Sequence, residues 1–192
     1  MRKFPVVFDL ETKYTFRDFD DHKKLGVTVV SAYDYGQNQS KVFLEKEINS
    51  LFPLLENASY LIGFNIKSFD LPVLSAYYPG NINHFSVFDI LDDIKEKIGF
   101  RLSLNDVINA TLGKKKSGHG LQAIELYNEG KIKELSQYCL DDTMLTKELL
   151  EYGAKTGEIY YLTPTGKATI KVNWKKYLED NNNKDTHLTL PF

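Results

Sequence analysis

The run FPVVFDLET at 4–12 constrains the fold most, because it places two carboxylates in a segment built to be buried. Residues 4–9 are β-branched and aromatic, which predicts a buried strand. Asp9 and Glu11 are two residues apart, and the period-two geometry of a strand puts both side chains on one face. Two further acidic signals follow in order. Asp70 sits inside NIKSFDLPVL, and Tyr138 and Asp142 sit inside YCLDD. The last two are four apart, so a helix presents them on one face. Four carboxylates and one phenol thus arrive from separate segments. Gathering them is costly: two unit charges ~4 Å apart repel by roughly 4 kcal/mol at an effective dielectric of ~20. Such a cluster needs bound cations or raised pKa values, and its hard oxygen donors favour Mg²⁺ or Mn²⁺ over zinc.

Taken singly, each signal has a plain structural reading. A D-x-E on a strand is usually solvated charge. Asp70 is a helix N-cap, Asp142 an exposed helix residue and Tyr138 a half-buried core tyrosine. The functional reading rests on their conjunction, in order and spacing, with flanking apolar strands.

The rest of the chain reads as an α/β layered fold with a mixed sheet. VTVVSAYDY (27–35) and KVFLE (41–45) predict a hairpin across GQNQS. Residues 47–57 predict a short helix, 60–65 a buried strand and 69–78 a helix with Asp70 as its N-cap and Pro72 in its first turn. A strand at 84–90 leads into a helix ending near Ile98. Helices are expected at 104–112, 121–128 and 131–153, with a flexible loop at 113–120. Alternating residues at 158–174, with a turn at TPTG, predict a terminal hairpin. The expected organisation is a catalytic domain at 1–155, a β extension at 156–178, and a polar linker with an apolar tail at 179–192.

Composition excludes several classes. The net charge of −2 rules against a strongly basic, sequence-independent nucleic-acid binder, so a basic contact surface must be local. Cys139 is the only cysteine, which excludes an internal disulfide and any zinc-ligand spacing. The N-terminus lacks the apolar region of a signal peptide and no stretch approaches a membrane span, so the cytoplasm is the expected compartment. GKKKSGHG at 113–120 is no P-loop, because His119 and Gly120 stand where Lys and Ser/Thr are required. Its Lys114, Lys115 and Lys116 either form a solvated loop or contact phosphates of a nucleic-acid strand. Tyr14, Phe16 and Phe19 either stack on bases or anchor their loop to the core.

FDLET, GFNIKSFDLPVL and Y-x-x-x-D resemble the three motifs of the DEDD 3′–5′ exonucleases, the DnaQ-like group with a ribonuclease H-like fold. The resemblance covers residues 4–152. It is nearest to the YprB-type group and to the proofreading domains of family B polymerases, helped by LGVTVVSAYDY and LNDVINATLG. Position 138 is Tyr, 137 is Gln, and none of the four histidines falls at the alternative position, which matches the Tyr branch, DEDDy. The resemblance implies that Asp9, Glu11, Asp70 and Asp142 hold two divalent ions, Mg²⁺ or Mn²⁺, and that Tyr138 positions or helps deprotonate the attacking water. It implies that Thr12 and the backbone of Leu10 contact the terminal nucleotide, while Phe64 and Asn65 line the path of the strand. Asp89 ends a strand near the site but has no role in the motif. The expected activity is a metal-dependent 3′–5′ exonuclease on single-stranded DNA or a frayed 3′ end. An RNA 3′-end processing nuclease and a non-catalytic nucleic-acid-binding domain of the same fold are the alternatives. The tail His187-Leu188-Thr189-Leu190-Pro191-Phe192 either forms an edge strand or packs on its own domain, or serves as a docking peptide, since with His187 in place of Gln it resembles the short peptides that dock bacterial proteins on the sliding clamp.

Overall fold

The computed structural model describes residues 3–116, 118 and 121–179. The tail at 187–192 and the linker residues 180–186 therefore lie outside the described residues. A five-stranded sheet is made by β1 (Phe4–Thr12), β2 (Val27–Asp34), β3 (Gln39–Leu44), β4 (Ala58–Gly63) and β5 (Val87–Asp89) in the order β3-β2-β1-β4-β5. β1, β2 and β3 are antiparallel neighbours, while β4 and β5 run parallel to β1. The sheet is mixed, as the sequence predicts.

β1 is buried on both faces, which is why its apolar run is nearly continuous. Val6, Phe8 and Leu10 point into one core with Leu51, Leu55, Leu71 and Leu74, over the side that carries α1 (Phe52–Glu56) and α2 (Asp70–Leu74). Val7 points the other way, into a core with Ile62, Ile94, Ile108 and Leu149. That second layer is built by α3 (Ile90–Ile98), α4 (Leu104–Leu112), α5 (Gln122–Asn128) and the long α6 (Ile132–Thr156). Alternation places Asp9 and Glu11 on the α6 face, beyond the end of its apolar cover. Phe8 is fully buried, and truncating it to Ala is expected to cost about 3–5 kcal/mol.

The terminal hairpin is present as β6 (Glu158–Thr163) and β7 (Gly166–Lys171), followed by α7 (Lys175–Leu178). Its Ile159, Ile170, Val172 and Trp174 share the α6 core. Trp174 lies so close over Gly153 that a Cβ there would come within 2.3 Å of its ring, and its Nε1 donates to Asp93 Oδ2 at 2.8 Å.

Two local expectations are corrected. The stretch 47–57 is not one helix: a 3₁₀ segment, Glu45–Ser50, is followed by α1. Pro53 cannot donate the bond that a continuous helix needs. The strand expected at 84–90 is only β5, preceded by a 3₁₀ turn at Ile82–His84.

Candidate active site

α6 is pinned to the sheet directly beside Asp9. Ser31 of β2 pairs with Asp9 across the sheet, and its hydroxyl donates to the Cys139 carbonyl at 2.8 Å. The Cys139 thiol in turn lies 3.5 Å from the Asp9 carbonyl. Tyr138 precedes this anchor by one residue and Asp142 follows it by three, so one turn of α6 faces the two strand carboxylates. Carboxylate oxygens of Asp9, Glu11 and Asp142 lie within 4.8 Å of one another.

Asp70 reaches the same place from the opposite layer, though it is not in that mutual group of three. It is not the N-cap of α2, a correction to the sequence reading, because Phe69 holds that position. The Asp70 Oδ1 instead accepts the Leu10 N–H at 3.1 Å, between Asp9 and Glu11. Asp70 is itself buried, and its charge raises the pKa of Asp9.

The electrostatics are those of a site short of positive charge. Burial, then the charges of Asp70, Glu11 and Asp142, hold the Asp9 carboxyl well above the usual carboxylate range. Burial and Asp142 push Glu11 to about 8. Burial pushes Asp70 to about 7, against the pull of the Leu10 amide. Asp142 is also raised by burial, although Lys116 opposes the shift. Lys116 brings a cation to the cluster: its Nζ lies 2.6 Å from Asp142 Oδ2 and 5.6 Å from the centre of the Tyr138 ring. Burial alone would lower its pKa, but Asp142 and Asp9 keep the ammonium charged. The Tyr138 phenol is pushed to about 12, first by burial.

The other residues singled out from sequence fall into place unevenly. Leu10 is buried and its N–H is taken by Asp70. Thr12 is buried, with its hydroxyl donating to the Tyr14 carbonyl at 2.8 Å. Phe64 packs half-buried against the α6 core. Asn65 adopts φ +71°, a conformation held by its neighbours. Of the three lysines only Lys116 enters the cluster; Lys114 pairs with Glu148 of α6 at 2.5 Å, and Lys115 lies beside Asp141 and Glu148.

Two residues that sequence reasoning left without a role shape this loop. Asp89 Oδ1 accepts the Asn65 N–H and Oδ2 the Lys67 N–H, both at 2.9 Å, while Oδ1 also accepts the Leu91 N–H at 3.0 Å to cap α3. Arg101 Nη2 donates to Asn65 Oδ1 at 2.6 Å. Asp89 carried a cap signal, a carboxylate between strand and helix. Arg101 carried none.

The sheet order, its parallel and antiparallel halves, and an acidic cluster between the middle strand and the last long helix define a ribonuclease H-like domain. The chain belongs to the RNase H superfamily, whose family model matches residues 6–153. Among solved structures it is similar to the family B DNA polymerase from the hyperthermophilic archaeon Pyrobaculum calidifontis, with a TM-score of 0.61 at 17% identity. That likeness covers 80% of this chain and 25% of the polymerase chain, so the chain spans about a quarter of the polymerase's length. At this identity the likeness establishes the fold. No curated protein matches the chain. Membership of this superfamily supports nuclease activity, and Asp9, Glu11 and Asp142 form an acidic cluster. Among the described residues, no helix is long and apolar enough to cross a membrane.

Proposed function

We propose that the chain is a metal-dependent 3′–5′ exonuclease of the DEDDy type, acting on single-stranded DNA or a frayed 3′ end. The observation that carries this reading is the meeting of Asp9, Glu11 and Asp142 within 4.8 Å, with Tyr138 one helical turn from Asp142. The donor set fits hard divalent cations, Mg²⁺ or Mn²⁺: it is all oxygen, buried and short of positive charge. Asp9, Glu11, Asp142 and Asp70 would hold two such ions. When bound, the ions supply charge neutralisation and Lewis acidity at the scissile phosphate.

The chain's own groups do the positioning. Tyr138 would position the attacking water or help to deprotonate it. The Asp70 carboxylate fixes Leu10, which keeps Asp9 and Glu11 in register on β1. Asp89 holds Asn65 and Lys67 at the mouth of the site, where the strand would pass. Lys116 balances the carboxylates in the ion-free protein and would turn to a phosphate once cations take its place. The same proposal gives residues 187–192 the task of docking on a sliding clamp, so that deleting them removes clamp binding and spares hydrolysis of short oligomers.

The test is digestion of matched 3′- and 5′-labelled DNA and RNA oligomers with Mg²⁺, Mn²⁺ or chelator. The expected outcome is mononucleotide release from the 3′ end of DNA, abolished by chelator. Faster digestion of the RNA strand would move the reading to RNA 3′-end processing. Full activity in chelator, or cutting of a circular single strand as the main activity, would overturn it.

A further inference from the structure

The hairpin of β6 and β7 lies beyond residue 153, where the family match ends, and so is an addition to the ribonuclease H-like domain. It is firmly seated. Ile159, Ile170 and Trp174 are buried in the α6 core. The Thr111 hydroxyl of α4 accepts the Tyr160 N–H at 2.9 Å and donates to the Tyr160 carbonyl at 3.2 Å, which closes the edge of β6 that faces away from β7. Successive residues of a strand point to opposite faces. Ile159 and Ile170 point inward, so Tyr160 and Leu162 of β6 share the outer face with Lys167, Thr169 and Lys171 of β7.

Positive charge gathers on this added segment. Residues 156–178 hold four lysines, Lys167, Lys171, Lys175 and Lys176, against one carboxylate, Glu158, and so carry +3. The whole chain carries −2, which leaves −5 elsewhere. A chain of this balance can hold a polyanion only on a local basic face, and the hairpin offers one. The Lys171 side chain is 82% exposed and pairs with Glu158 at 2.6 Å, an exposed ion pair that a phosphate can replace at little cost. Among the described residues Lys167 has no carboxylate partner, and its ammonium lies 4.5 Å over the Tyr160 ring.

The hairpin is also joined to the mouth of the site. Phe100 stands edge-on to Tyr161 at 5.8 Å, and the next residue, Arg101, donates to Asn65. Along α6, Thr156 lies fourteen residues beyond Asp142, about 21 Å at 1.5 Å per residue. A stacked strand advances about 3.4 Å per nucleotide, so about six nucleotides cover this distance.

We propose that the outer face of the hairpin binds the phosphate backbone of the substrate strand about six nucleotides 5′ of its 3′ end, through Lys167 and Lys171. The proposal rests on the exonuclease reading and adds a length preference to it. The two lysines stand four residues apart on β7, about 13 Å, and so take two different phosphates. They respond to charge and not to bases, so the contact is independent of sequence. Strands too short to reach the hairpin forgo it.

The experiment measures KM on a single-stranded 20-mer and on a trinucleotide, with the full chain as wild type and as Lys167→Gln/Lys171→Gln. The double variant should raise KM on the 20-mer about tenfold while kcat stays within about threefold. Both constants on the trinucleotide should be unchanged, which also reports an intact fold. The slope of log KM against log salt on the 20-mer should fall by about 1.4, for two phosphate contacts at about 0.7 each. Lys167→Arg/Lys171→Arg should behave as wild type. A KM unchanged on the 20-mer, or raised equally on both substrates, would overturn the proposal and leave the exonuclease reading standing. Fluorescence anisotropy with a 5′-labelled 20-mer in Ca²⁺ separates the two readings. Lysine-dependent affinity there, with no shortening of 3′ ends in Mg²⁺ or Mn²⁺, would retain the strand-binding face and reject the exonuclease. Lysine-dependent binding of a blunt duplex or of phosphatidylserine vesicles, in place of the single strand, would overturn the proposal.

Discussion

Replacing Asp9 by Asn should stabilise the protein in chelator and remove its response to metal. Asp9 faces Glu11 and Asp142 at no more than 4.8 Å, a separation at which two full charges repel by about 3.5 kcal/mol at an effective dielectric of ~20. Lys116 offsets part of this, and partial protonation relieves more. A net gain of about 1–3 kcal/mol at pH 8 remains, or roughly 2–12 °C in Tm for a chain of this length. The sign follows from the folded-state pKa values. Glu11 rises from 4.5 to about 8 and Asp70 from 3.8 to about 7, so folding favours their protonated forms. The wild-type stability these groups contribute is present below their ordinary values and is lost as pH climbs through 7 and 8. The advantage of Asp9→Asn should therefore shrink toward pH 5. Thermal melts at pH 5 and pH 8, in chelator and in Mn²⁺, measure all of this. Mn²⁺ at a hundred times its Kd should add about 2.7 kcal/mol to wild type and little to the variant. A variant less stable than wild type in chelator at pH 8, or one equally stabilised by Mn²⁺, would refute the reasoning.

Two further outcomes test neighbouring parts of the site. Tyr138→Phe should slow cleavage by about 10- to 1000-fold and leave the Mn²⁺-induced rise in Tm unchanged, as expected of a group that orients water; rates equal to wild type would make Tyr138 a core tyrosine only. Asp89→Ala should cost about 2–4 kcal/mol in urea unfolding, because the Asn65, Lys67 and Leu91 amides lose their acceptor and α3 loses its cap, and Asp89→Asn should recover about half.

The sheet was legible because its signals are local. The β-branched and aromatic run that opens FPVVFDLET, the hairpin pattern through 27–44 and the long apolar stripe of α6 each fit one element, and the family match spans the same residues. The shared face of Asp9 and Glu11 likewise follows from strand period alone. What failed to show was long-range. Asp70 looked like a cap because its own helix offers amides nearby, yet its acceptor bond goes to Leu10, sixty positions earlier. Lys116 sits in a glycine-flanked loop, and nothing in that loop marks its carboxylate partner on α6. The break between the 3₁₀ segment and α1 does have a local mark, Pro53, whose missing N–H opposes the continuous helix that the apolar spacing suggests.

β1 lies third of five strands; its ladder with β2 runs from Val6 to Thr12, whereas its ladder with β4 ends at Val7. The amides around Asp9 and Glu11 are thus held by β2 and by the Asp70 carboxylate, and should trade hydrogen for deuterium when the β1–β2 ladder or that side-chain bond opens. Two of the acidic groups thus ride on a central strand rather than on a loop. On warming, activity should persist up to the melting transition and disappear with it, without the earlier inactivation typical of enzymes whose reactive groups sit on loops.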